Sequence, residues 1–540
     1  MRWSVYVFLC LMIAILHLGC EEDTELDEQT RPNIVWLVAE DQSPYFFPMY
    51  GDSTVSLPNL EALANEGVVF TNAYSPVPVC APARSALITG MYPTSLGTHN
   101  MRTYNAYREV NQAELGIPSY SPIPPQGVKM FTEYLRAEGY YCTNNAKEDY
   151  NFKKTEGAWD QSNKEAHWRN RPEEAPFFSV FNFEVTHESQ IWKRGEDPLL
   201  VAPDSLSVPP YFPDNEEIRH DLAVNYSNLI RLDSQLGEIL NQLREDGLYD
   251  NSIIFFYGDH GGPFPRHKRA LYETGIKVPM MVKFVNGVKQ VDRNDSFISF
   301  IDLAPTVLSL AGIEPPKVMQ GRAQLGTYKD VEESEYIFSS SDRFDGIVDR
   351  LRAVRYKQFK YIRNFNPEIS NAIPNKYRQQ MIMMQKLDKL WEQNELDSVQ
   401  ALWFRTPKPD EELYDLDKDP LELVNLAGNE QLQDTLIFLR NVLNDWMEQT
   451  SDLGQYPEKE LIAKWLPEGM PPKLPPLELE ENEEGIKLIT KHADATILWR
   501  QPTDSTWQIY NSPLSLEQAF IAKTVRIGYE DSEVLEFNLE

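Results

Sequence analysis

Four largely apolar runs of strand length mark the amino-terminal part of this chain: Asn33–Val38, Phe177–Phe183, Ile253–Tyr257 and Val278–Phe284. A run without polar alternation must be buried on both sides, so these segments predict strands of a mostly parallel sheet covered on two faces. Helical patterns over Leu60–Glu66, Arg84–Ile88, Val128–Glu138, Ile218–Glu245 and Leu303–Ala311 supply the covering layers. In such a sheet the chemistry lies just beyond the carboxyl ends of the strands. Two runs lead there directly into acids, Glu40-Asp41 after the first and Asp259-His260 after the third.

The 540 residues divide by character. Met1-Arg2 precedes an apolar run, Val5–Leu18, that is too short to favour a membrane span and reads as an export signal over residues 1–19. Gly19-Cys20 resembles a bacterial lipobox, which predicts lipidation of Cys20, and Glu21-Glu22-Asp23 resembles the acidic tag of surface lipoproteins. The expected location is the outer membrane, facing the cell surface, with the periplasm as the alternative. An acidic linker over 20–31 leads to a main α/β domain over 32–330 and a smaller α+β subdomain over 331–464. In the latter, Glu335–Ser340, Asp349–Tyr356 and Gln358–Arg363 read as short strands, followed by a helix from about Gln431 to Thr450. A Pro- and acid-rich linker over 465–485 then precedes a small β-rich module over 486–540, whose Trp499, Trp507 and Tyr510 suit either a structural appendage or a sugar-binding face. The balance of 82 acids against 51 bases excludes a nucleic-acid partner, and any anionic ligand has to be held by a local basic pocket.

The most informative stretch is Cys80-Ala81-Pro82-Ala83-Arg84-Ser85-Ala86-Leu87-Ile88-Thr89-Gly90. Pro82 suits a first helical turn and Gly90 a helix end, so Cys80 falls at a helix N-terminus, where anions are stabilised. Arg84 follows one turn later. Glu40, Asp41 and Asp259 converge at one sheet edge, where uncompensated carboxylates would repel, and a hard divalent cation is the natural occupant. Together the C-x-P-x-R-S-x-L-x-T-G stretch and the motifs in order around it resemble the type I, formylglycine-dependent sulfatases of the alkaline-phosphatase-like superfamily. The resemblance runs from Pro32 to about Leu426 and includes Lys147, Thr186-His187, the stretch Lys268–Gly275, Ile301–Thr306 and Leu413–Leu416.

That resemblance implies an alkaline-phosphatase-like α/β/α sandwich with the smaller C-terminal α+β subdomain and the short β-rich appendage. It implies that Cys80 is converted to formylglycine (3-oxoalanine) by a formylglycine-generating maturation enzyme. Glu40, Asp41, residue 80, Asp259 and His260 are the implied metal ligands, for Ca²⁺, with Mg²⁺ or Mn²⁺ admitted by His260. Arg84, Lys147, His187 and Lys268 would cradle the sulfate, and His267 or His187 would protonate the leaving group. His99, Arg102, Trp192 with its neighbour Lys193, and Arg343 are the candidate sugar contacts. Where many members carry Trp-His-x-Gly after the lysine, this chain reads Glu148-Asp149-Tyr150-Asn151. The wording of Val38–Pro44, Thr186–Trp192 and Ser341–Asp345 resembles a branch likened to heparan N-sulfatases that also includes ulvan-active enzymes. The expected function is hydrolysis of sulfate groups on a sulfated polysaccharide or its oligosaccharides, algal or glycosaminoglycan. The alternatives are a formylglycine-dependent phosphonate or phosphate diester hydrolase and a non-catalytic surface glycan-binding lipoprotein. Of the four cysteines, Cys10 leaves with the signal, Cys20 and Cys80 are modified, and Cys142 remains an ordinary thiol.

Overall fold

The structure, a computed structural model, describes residues 31–104, 115–289, 291–483 and 485–539. The signal segment, Cys20 and nearly all of the acidic linker lie outside the described residues. Nine strands form the main sheet: β1 (Asn33–Ala39), β2 (Val68–Tyr74), β3 (Tyr141–Asn145), β4 (Gln161–Ser162), β5 (Phe177–Phe183), β6 (Ser252–Gly258), β7 (Lys277–Lys283), β8 (Arg293–Asn294) and β9 (Ile298–Ser299). Their order is β4-β3-β5-β1-β6-β7-β2-β8, with β9 also on β2. Along β1, Val35, Leu37 and Ala39 enter one core with the long helix Glu216–Glu245, while Ile34, Trp36 and Val38 enter the other with Phe131 and Leu303. Each of the larger of these side chains, buried, contributes roughly 1.5–3 kcal/mol, which is why no polar residue follows Asn33 in the strand. The long helix starts where the Asn215 side chain accepts from the Ile218 N–H, and it buries Leu222, Leu229, Leu232, Leu236, Leu240 and Leu243 at helical spacing.

The sheet is mixed, because β7 runs antiparallel to both β6 and β2 while the other pairs are parallel. The chain between β6 and β7 makes no crossover; it stays at the carboxyl edge, where it carries Asp259, His260 and Lys268, and so must enter β7 in the opposite sense. Strand β2 escaped the pattern reading, since Thr71 and Asn72 interrupt its apolar face at a register shift between Phe70 and Ala73.

A second sheet, β10 (Tyr336–Phe344), β11 (Ile347–Tyr356), β12 (Phe359–Asn364) and β13 (Glu411–Asp415), is antiparallel throughout. The helix Gln433–Gln449 covers it through Leu436, Leu439, Leu443 and Trp446. Buried charges join the two sheets: Glu273 accepts from the Tyr74 hydroxyl at 2.9 Å and from Lys360 of β12 at 3.3 Å. The stretch read as a linker over 465–485 is largely structured. Trp465 ends the helix Glu458–Trp465 and stacks on Tyr120, Leu474 and Leu477 are buried, and β14 (Glu478–Asn482) pairs with β15 (Gly485–Ile489). Proline content marked absent helix there, not absent packing. The last sheet, β16 (Thr496–Arg500), β17 (Gln508–Ile509), β18 (Phe520–Val525) and β19 (Leu535–Phe537), docks on the main domain. Arg136 donates to the Trp507 carbonyl at 2.6 Å, and Ile527 enters the core beneath the main sheet. The cations of Arg500 and Lys523 lie 4.9 and 5.0 Å from the centre of the Trp507 ring. Among the described residues no helix is long and apolar enough to cross a membrane.

Candidate active site

The register of the main sheet brings the site together. Ala39 pairs with Phe183 on one side and Gly258 on the other, so the three chains leaving β1, β5 and β6 emerge side by side. They deliver Asp41, His187 with Glu188, and Asp259 with His260. Asp41 turns through a left-handed conformation (φ 51°), a strained geometry for a non-glycine residue that recurs at functional sites. Its amide donates to Asp259 Oδ1 at 3.0 Å. Past His260 the chain squeezes beneath its own return, so a Cβ at Gly261 would run into the Thr274 carbonyl.

Cys80 opens the helix Cys80–Thr89, all ten residues of which are buried, and Gly90 closes it in a left-handed conformation. The Sγ lies 3.1 Å from His260 Nε2 and 4.0 Å from Asp41 Oδ1, and His260 Nε2 lies 3.2 Å from Asp41 Oδ1. Burial pushes the Cys80 thiol up, yet the charges of Lys268, Lys147 and His260 hold it well below its ordinary value. The same cations, with the helix N-terminus, make this position one that favours an anion. Burial works against a charged His260, but Asp259, Cys80 and Asp41 lift it to about 9.

Lys268 is fully buried and donates to both oxygens of Asp41, at 2.8 and 2.9 Å, with Glu188 at 3.1 Å and His187 Nε2 at 3.5 Å. Arg84 donates to Asn182 at 2.7 Å and pairs with Asp259 at 3.2 Å and Glu40 at 3.4 Å; its buried Nε finds no partner among the described residues. Lys147 lies 2.8 Å from Glu40. Arg84, Lys147, His187 and Lys268 are thus gathered around residue 80.

Several expected roles differ in the structure. Glu40 does not join the convergent ligand atoms; its two oxygens face Arg84 and Lys147, because consecutive side chains at a strand end point apart. His267 is fully buried, stacked on Phe46 and bonded through Nε2 to the Tyr211 hydroxyl at 2.9 Å. Burial with the nearby Arg266 and Arg378 charges depresses it to about 3, so it is neutral and cannot serve as a general acid. His99 is buried and lowered by burial, which keeps it from a sugar. Arg343 is 2% exposed and holds Glu458 at 2.7 and 2.8 Å and the Met101 carbonyl, so it joins elements instead of meeting substrate. Arg102 is partly exposed, 3.6 Å from Asp345, and Trp192 stands half-buried against Tyr377. Glu188 escaped the sequence reading. Wholly buried beside His187, it accepts from both nitrogens of Arg269 at 2.9 Å and from Lys268, and its amide donates to Asp41 at 2.6 Å. It acts as a positioning residue for Lys268.

Asp41, Cys80, Asp259 and His260 each offer a ligand atom within 4.8 Å of the others, and all four are buried. Two buried carboxylates, an imidazole and an anion-favouring position fit a divalent cation. A mixed α/β sheet with metal donors, three cationic side chains and a histidine converging on one residue at a helix N-terminus defines a hydrolase for esters of a tetrahedral oxyanion. Residues 32–313 match the sulfatase family and residues 258–386 the C-terminal region of N-sulphoglucosamine sulphohydrolase. An ulvan-active sulfatase of Formosa agariphila is 41% identical over 98% of this chain and 96% of its own length. Human N-sulphoglucosamine sulphohydrolase is 23% identical over 78% of this chain and 91% of its own. A solved 2-O GAG sulfatase shares the fold, with a TM-score of 0.57 at 19% identity over 78% of this chain and 93% of that one. The chain belongs to the sulfatase family and is a sulfuric ester hydrolase. Membership implies a formylglycine and a divalent metal in the site.

Proposed function

We propose that the protein removes sulfate from a sulfated polysaccharide or its oligosaccharides, with ulvan the first substrate to try, through a formylglycine made from Cys80. The observation that carries this is the position of Cys80, against the donors Asp41 and His260 and within the field of Lys268 and Lys147. The ulvan-active and N-sulphoglucosamine relatives support a glycan substrate.

A hydrated formylglycine supplies two hydroxyls on one carbon, one to attack sulfur and one whose proton loss releases sulfate. Asp41, Asp259, His260 and residue 80 would hold a divalent ion, which would supply Lewis-acid stabilisation of negative oxygen. The chain's own residues do the rest. Arg84, with its unpaired Nε, Lys147 and Lys268 bind the sulfate oxygens and stabilise the charge that grows on them. The His187 ring is oriented by the Ser189 N–H, which donates to Nδ1 at 3.2 Å, and its Nε2 faces the pocket 3.5 Å from Lys268. With His267 sequestered, His187 in its imidazolium form is the group that protonates the departing sugar oxygen.

The donors favour Ca²⁺, and His260 also admits Mg²⁺ or Mn²⁺. Chelation is expected to lower sulfate release by at least about 100-fold and Ca²⁺ to restore it, since one Lewis-acid contact contributes several kcal/mol; full activity in metal-free protein contradicts the assignment. The same assay with an aryl phosphodiester separates this reading from a diesterase, and faster phosphodiester cleavage contradicts it. Export and anchoring through Cys20 are part of the proposal. Radiolabelled palmitate is expected to enter the wild-type chain and not Cys20→Ala, and equal labelling of both overturns the anchor.

A further inference from the structure

The connection between β12 and β13 sends a short strap, residues 375–380, from the smaller sheet across to the catalytic pocket. It is fastened on both sides of Tyr377. Asn375 donates to Asp345 at 2.7 Å, and Arg378 donates to the Lys268 carbonyl at 2.7 Å with its guanidinium 4.0 Å from Glu188. Between these anchors the Tyr377 ring meets Trp192 edge to face, centroids 4.8 Å apart at 87°, and lies 6.3 Å from the His187 ring. Ser189, which influences the Tyr377 hydroxyl, has its own hydroxyl 2.9 Å from His187 Nδ1. An aromatic side chain held this firmly is normally covered, yet Tyr377 remains 37% exposed. The charge of Arg102 reaches its hydroxyl, and Lys193 stands exposed next to Trp192.

We propose that Tyr377, braced by Trp192, is the platform on which a pyranose ring of an anionic glycan rests beside the sulfate pocket, and so a determinant of glycan binding. This rests on the sulfatase reading of the site. A pyranose presents apolar C–H groups on its face and hydroxyls at its edge. Its C–H groups suit the negative face of an aromatic ring, while its rim hydroxyls and anionic substituents reach polar and cationic neighbours such as Arg102 and Lys193. Because the ring is already immobilised from both flanks, little side-chain entropy is lost on binding. Tyr377 comes from the connection between β12 and β13, whereas the sulfate-binding residues come from the main domain, so the two recognition tasks are carried by separate elements.

The test uses the matured full chain as wild type, Tyr377→Ala and Tyr377→Phe, with a sulfated oligosaccharide as substrate and inorganic sulfate as a competitive inhibitor. Tyr377→Ala is expected to raise the oligosaccharide KM about tenfold or more, with kcat within about threefold and the sulfate inhibition constant within about twofold. Tyr377→Phe keeps the ring face and should recover the KM to within about threefold of wild type. The proposal is overturned by an unmoved oligosaccharide KM, by a sulfate inhibition constant that shifts as much as the KM, or by Tyr377→Phe behaving like Tyr377→Ala. If wild type releases sulfate from no glycan, the sulfatase reading fails by itself. Calorimetric binding of the same oligosaccharide to Cys80→Ala, with and without Tyr377→Ala, then decides the platform.

Discussion

Cys80→Ala is expected to lose sulfate release by at least about 10⁴-fold while folding normally, the scale of loss when a covalent nucleophile is removed. The structure places no other nucleophile at the convergence of Asp41, Asp259 and His260 among the described residues. The helix does not depend on the thiol, because its stability comes from Ala83, Leu87 and Ile88 packed beneath the main sheet. A serine at position 80 offers a single hydroxyl and cannot release sulfate by losing a second proton, so Cys80→Ser is expected to be inactive in a host that does not modify serine. Kinetics of sulfate release alongside the thermal midpoint check both variants. Full activity in Cys80→Ser would sink the mechanism.

The second large effect belongs to Lys268. Its ammonium is completely buried and is the closest cation to both oxygens of Asp41, besides pairing with Glu188. In Lys268→Met, Glu188 keeps Arg269 and stays compensated, whereas Asp41 loses the charge that holds it below the ordinary carboxylate range. Leaving a buried carboxylate short of its partner costs about 3–5 kcal/mol of stability. The sulfate also loses a cation, which costs a further ~10²–10³-fold in kcat/KM. Lys268→Arg is expected to rescue neither, because a planar guanidinium cannot occupy the space of a compact ammonium between Asp41 and Glu188. Urea unfolding and kcat/KM measured on the same preparations check the two parts. Wild-type stability in Lys268→Met would show that Asp41 is compensated by another group.

The sheet edge was legible in the sequence because strand and chemistry are written together there: an apolar run has to be buried, and the acids after it have to leave the core. Cys80 and Arg84 were legible for a similar reason, their spacing placing both on the first turns of one helix. What burial decides was not legible. Glu40 and Asp41 are adjacent acids, and only the geometry at the end of β1 shows that one faces Arg84 and Lys147 and the other the metal donors. His267, His99 and Arg343 carry reactive groups near the motifs, but Phe46 and Tyr211 claim the first, burial withdraws the second and Glu458 holds the third. Glu188 directly follows His187, which was the one available signal for it. Tyr377 had none, because it reaches the site from a distant connection whose course is set by the second sheet.

The most direct measurement is ion-chromatographic sulfate release from ulvan and heparan oligosaccharides by protein whose residue-80 peptide has been weighed beforehand. The account predicts a mass showing sulfur exchanged for oxygen with loss of two hydrogens, and sulfate release in proportion to the converted fraction. Sulfate release from protein whose Cys80 is wholly unconverted, or none from fully converted protein on any sulfated glycan, would contradict it.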